Sequence, residues 1–180
     1  MGKPKFMFSF ILGVLFVTPL FGNTNSYTLE DALKKGLVTA TFTGQKDASP
    51  SHYGKCIQLI LKNISNQNLS INLENGRRLD CIYDSVQDML VTHSEVFALL
   101  PSQKRECTIY AMCTQKHDRS PHETSVYHLG AMAESVLVEL TMLIEKYDAQ
   151  DGTGQRQYGW SPMVPILMIL RAATIRLFRF

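Results

Sequence analysis

The chain has 180 residues, a formal net charge of +2 and four cysteines, a length that suits one domain. Its positive balance lies at the two ends, with Lys3 and Lys5 in an acid-free leader and Arg171, Arg176 and Arg179 in an acid-free tail. Setting those five cations aside leaves residues 23–160 with a net charge of −3, which argues against a nucleic-acid partner recognised through charge.

The leader, "MGKPKFMFSFILGVLFVTPLFG", joins a basic start to an apolar run and a small residue at Gly22. That order is the order of a secretory signal peptide over residues 1–22. The run is broken by Pro19 and is shorter than the ~20 residues a span needs. The expectation is therefore cleavage, with no stable transmembrane segment afterwards. The expected location is the periplasm, the cell surface or the medium. Cys56, Cys81, Cys107 and Cys113 all lie in the exported body. Export permits disulfides among them, and the spacing does not rank the pairings.

"TLEDALKKG" has Thr28 as N-cap, acids behind it, and Lys34, Lys35 and Gly36 at its end. This polarity predicts a short helix. "LVTATF" (37–42) reads as a strand and 44–54 as a loop. "KCIQLILKNI" (55–64) and "LSINLENG" (69–76) alternate apolar and polar residues around the turn "NISNQN". "SVQDMLVT", "VFALLP" and "KRECTIYAMC" continue the rhythm, the last with Cys107, Ile109 and Ala111 on one face. Short strands at this spacing predict an antiparallel Ig-like β-sandwich of about five to seven strands over residues 23–119.

At "RSPHE" the period changes. Ser120 as cap, Pro121 at the first helical position and Glu123 as capping-box partner open a helical pattern. Val126, Leu129, Ala133, Val136 or Leu137, Leu140, Leu143 or Ile144, and Tyr147 mark one face. The expectation is an amphipathic helix of about six turns within 120–160, part of the same domain. Residues 161–180 form a basic apolar tail whose "MVPILMIL" is too short to cross a bilayer. A shift of reading frame near Gln155–Arg156 would replace it with Gln-x-Ala-(Ile/Val)-Trp and a polar ending, so the tail reads as a frameshift product.

The stretches "GKCIQLILKNISNQNLSINLENGRRL", "QDMLVTHSEVFALLPSQK" and "YAMCTQKHDRSP" resemble an uncharacterised exported family of Bacteroidota-type bacteria. That resemblance implies location and a β-rich fold, with no activity. A narrower one joins "YAMC", a helix and the frame-restored Gln-x-Ala-Val-Trp. It is similar to the second half of thioester domains of bacterial surface adhesins. It implies that Cys113 supplies sulfur and Gln155 the acyl group of an internal thioester that captures a nucleophile.

Read from the residues alone, Cys113 is equally a disulfide partner or a strand-end thiol. "CTQKHDRSPH" brings Cys113, His117, Asp118 and His122 together, as weak metal candidates or a Cys/His nucleophile pair whose spacing matches no strong zinc pattern. Asn63 and Asn68 open glycosylation sequons but suit a hairpin turn. Asp88 and Glu95 are isolated carboxylates, and His128 lies beside the expected helix face. No cofactor is expected, because phosphate-loop and metalloprotease motifs are missing from the sequence. The expected function is an exported binding or structural module with a protein or glycan partner at the cell envelope. The alternative is a covalent adhesin through Cys113 and Gln155.

Overall fold

Ten strands and two helices form along the chain in the computed structural model, which describes residues 24–46, 51–114 and 118–152. The signal peptide (1–22), His117, Gln155 and the tail (161–180) lie outside the described residues.

Strand β1 (Thr24–Thr28) runs straight into α1 (Leu29–Lys34). The Thr28 hydroxyl accepts the Asp31 N–H at 3.1 Å, as an N-cap does. At the other end Gly36 adopts φ +64°. There Gly36 N–H donates to Leu33 O and Leu37 N–H to Ala32 O, the paired bonds that satisfy the last carbonyls of a helix. Leu29 and Ala32 face inward, fully buried.

β2 (Val38–Gly44), β3 (Ile57–Asn63) and β4 (Asn68–Leu73) follow. Alternation decides their faces: Ile57, Leu59 and Leu61 of β3 and Leu69, Ile71 and Leu73 of β4 are all fully buried. Then come β5 (Arg77–Cys81), β6 (Met89–Val91), β7 (Glu95–Leu99), β8 (Lys104–Ile109), β9 (Ala111–Cys113), β10 (Val126–Met132) and α2 (Ser135–Lys146). A three-stranded sheet has the order β1-β4-β7, and a seven-stranded sheet the order β8-β3-β2-β10-β5-β6-β9. All pairings are antiparallel except β1 with β4, which is parallel.

The larger sheet curls on itself. Its two edge strands, β8 and β9, are consecutive in the chain and separated only by Tyr110. The loop ahead of β3 helps the turn, because Gly54 O and His52 O accept the N–H groups of Ala111 and Cys113. Alternation survives the bend. Ile109, Ala111 and Cys113 enter the main core, while Met112 faces the other way, against Leu140 and Ile144 of α2. The main core draws on both sheets and on α1.

The β-rich reading is met, whereas the long helix expected from Ser120 is corrected. Residues 126–132 are strand β10, and the helix begins at Ser135 and runs 12 residues. Ser120, Pro121 and Glu123 do not open a helix. The chain turns there instead, with Ser125 N–H donating to His122 O at 2.8 Å and Ser125 Oγ accepting the His122 N–H at 3.1 Å.

Candidate functional site

Cys113 ends β9 as a fully buried residue. It pairs in register with Met89 of β6, so the two side chains share a face. The Cys113 Sγ lies 3.4 Å from the Met89 Sδ. His52, an exposed loop residue, brings its Nδ1 to 3.2 Å from the same sulfur. Burial pushes the Cys113 thiol upward, and the nearby Cys56 adds to the effect. The group is therefore protonated at neutral pH and is a poor nucleophile as it stands.

Cys56 is turned away from this contact. Its Sγ donates to Ala111 O at 3.4 Å, and burial pushes its thiol up to about 12. Cys81 and Cys107 occupy one cross-sheet row, Cys81–Tyr127–Phe42–Leu59–Cys107, on β5 and β8. The Cys107 thiol is also raised, first by burial and then by Glu95. None of the four cysteines is bridged to another. The Cys56 sulfur donates to a backbone carbonyl, whereas the Cys113 sulfur meets Met89 and His52.

The other sequence candidates disperse. The Asp118 carbonyl accepts the Gln87 side-chain amide at 2.8 Å. The His122 ring contacts the Thr124 hydroxyl at 2.9 Å. Among the described residues no three His, Cys, Asp or Glu side chains are grouped to hold a metal ion. Asp88 accepts the Cys81 N–H at 2.8 Å and so serves the backbone. Burial raises the Glu95 carboxyl. His128 is exposed on β10, opposite Asp80, and not beside a helix face. Asn63 is fully buried, and its amide donates to Gln67 O at 2.8 Å and Leu100 O at 3.0 Å. It staples a turn and is closed to a glycan.

His52 and Met89 were missed in the sequence. His52 stands in a stretch legible only as loop. Met89 shows there only as a core residue of a strand.

A second feature lies on the smaller sheet. β7 is an edge strand. Its outward residues Val96, Ala98 and the following Leu100 are exposed, Val96 by 66% and Leu100 by 62%. Beside them, in register, the outward positions of β4 and β1 are Asn72, Ser70 and Asn68, then Thr28, Ser26 and Thr24. None of these outward positions carries a charge.

At the C-terminal limit of the described residues, a Cβ added at Gly152 would meet the Tyr53 ring at 3.5 Å, and one at Gly54 would meet Gln150 O at 3.6 Å. The chain thus arrives beside the loop that carries His52. No helix among the described residues is long and apolar enough to cross a membrane. No protein-family model, curated protein or solved structure matches this chain.

Proposed function

We propose that the protein is an exported binding module of the cell envelope, whose uncharged outer sheet face and β7 edge dock an extended segment of a protein partner. The signal-peptide pattern of residues 1–22 supports export. The observation that carries docking is the Val96–Ala98–Leu100 strip on an edge strand. Edge strands present unpaired backbone groups, and soluble proteins guard them with Lys, Pro or bulges. The strip from Val96 to Leu100 has none of these, so it suits strand addition, in which backbone bonds give affinity and alternate side chains give specificity. The inward residues of this sheet join the core shared with the larger sheet, which leaves this face outward.

A photo-cross-linker at position 98 in intact cells should trap one discrete protein, and Val96→Lys should abolish the adduct. Equal trapping from position 106 on β8 would show that the edge has no preference and sink the reading. The intact mass of the exported protein tests cleavage after Gly22.

One observation favours a second reading, the covalent adhesin. Gly152 already lies beside Tyr53, the neighbour of His52, and three further residues span at most about 10 Å. In this reading the Cys113 sulfur bonds to the Gln155 side-chain carbonyl carbon and ammonia leaves. Loss of one ammonia from the native mass, absent in Cys113→Ala, tests it.

A further inference from the structure

Three segments converge on one sulfur. Cys113 comes from β9, Met89 from β6 and His52 from the loop ahead of β3. The Cys113 Sγ is 3.4 Å from the Met89 Sδ and 3.2 Å from the His52 Nδ1. The thiol proton serves the Met89 sulfur, and the thiol, the thioether and a neutral imidazole all keep lone pairs. The cluster thus gathers three metal-competent groups about the Cys113 sulfur. Both sulfurs are fully buried on paired strands, and the imidazole stands at the surface.

We propose that Cys113, Met89 and His52 form a binding site for a soft monovalent metal ion, copper(I). Thiolate and thioether ligands select copper(I), and imidazole suits copper as well, whereas carboxylate and carbonyl oxygens are what hard cations require. Charge favours a monovalent ion. One thiolate cancels one positive charge, so the loaded site is neutral, while a divalent ion would leave a net charge in apolar surroundings. Three protein donors also fall short of the closed set of about four that structural zinc takes.

The spacing is close to what the ion needs. With sulfur at about 2.3 Å and nitrogen at about 2.0 Å from a metal, neighbouring donors stand about 3.5–4 Å apart. The two separations from the Cys113 sulfur must open by only about half an ångström. His52, on the exposed loop, can supply that movement while the strands hold the sulfurs. On binding, the Cys113 S–H bond breaks, the sulfur pair forms the copper bond and the proton passes to solvent. Because the thiol must give up its proton to bind, proton and copper compete, and affinity rises with pH.

This site uses none of the residues of the β7 edge, so the two readings stand or fall separately. The test is anaerobic titration of the full-length protein with copper(I) against a chromogenic copper(I) chelator, at two pH values. The wild type should hold one equivalent, more tightly at the higher pH. Cys113→Ser should abolish uptake. His52→Gln and Met89→Leu should each weaken it by at least about tenfold, the least that losing a ligand-supporting contact costs a metal site. Met89→Leu conserves core volume and so keeps the fold. Cys107→Ser, a half-buried thiol on β8, should change nothing. No uptake by the wild type, including uptake blocked because Cys113 is held in a thioester, would overturn the proposal. So would binding that Met89→Leu and His52→Gln leave unchanged, or zinc(II) held more tightly than copper(I).

Discussion

Arg77 shows how a single residue ties elements together. Its side chain is 3% exposed and donates to Glu30 at 2.7 Å, Glu74 at 2.7 Å and Gly130 O at 3.1 Å. One guanidinium thus binds α1, the turn before β5 and β10. Its fork of donors makes this possible, and lysine could not reproduce it. Removing one partner of a buried pair typically costs about 3–5 kcal/mol, chiefly because the other charge is stranded. Glu30 is partly solvated, so Arg77→Met should sit at the low end, about 3 kcal/mol in urea denaturation. Adding Glu74→Gln to that variant should recover part of the loss. If the double variant is no more stable than Arg77→Met, the stranded carboxylate is not the cause. None of this was legible in "GRRLDC", where two arginines and an aspartate look like a solvated turn.

Glu145 gives a pH dependence at the same scale. Burial alone would raise its carboxyl, but hydrogen bonds from Ser94 and Asn75 outweigh it and hold the group below its ordinary 4.5. The Ser94 N–H and hydroxyl donate at 3.0 and 2.8 Å. A folded pKa below the unfolded one stabilises above the unfolded value and is lost as pH falls through the folded one. The thermal midpoint of the wild type should therefore exceed that of Glu145→Gln at about pH 6, and the gap should close well below pH ~4. A gap that stays constant with pH would refute the assignment.

Among the elements, β10 and α2 show what the sequence could and could not reveal. The pattern from Val126 to Tyr147 satisfies helical spacing, yet its first third is a strand. Two periods coincide there: Tyr127 and Leu129 face inward at spacing two, while Val126, Leu129 and Ala133 fit helical spacing. Gly130 in mid-run was the contrary signal, since glycine weakens a helix interior. In the strand its missing side chain leaves room for Asp80, whose carboxylate would lie 2.5 Å from an added Cβ. By contrast, α1 and β2 to β4 were legible because caps and strict alternation are local. β1 was hidden, because it is a polar leader until it meets β4.

α2 also depends on a glycine in another element. Gly76 has φ +81°, and an added Cβ would meet the Val138 Cγ2 at 2.9 Å and its Cα at 3.3 Å. The helix backbone there cannot yield as a flexible side-chain tip could. Gly76→Ala thus combines a left-handed backbone with a clash, a loss of about 1–3 kcal/mol. Hydrogen exchange should show α2 amides opening more readily than those of β3. Equal loosening of β3 would mean that the glycine supports the whole core and not the docking of the helix.

For the whole molecule, the decisive fact is that one core serves both sheets. Leu69, Ile71 and Leu73 of the small sheet belong to the same buried cluster as Leu59, Leu61 and Leu79 of the large one. The candidate site inherits its rigidity from that cluster, since Cys113 and Met89 are members of it. Only the presence of buried thiols was foreseeable from sequence; the approach of His52 depends on the curl that brings β9 against the loop at residues 52–54, a long-range event no local pattern encodes. A shared core also predicts cooperativity. Ile71→Ala and Leu59→Ala should each lower stability by about 2–5 kcal/mol. Both should shift one common transition seen alike by far-UV circular dichroism and by exposure of the buried cysteines to a thiol reagent. A small sheet that melted first in Ile71→Ala, with Cys113 still protected, would mean that the two sheets are separable units and that the β7 edge can be lost without disturbing the sulfur cluster.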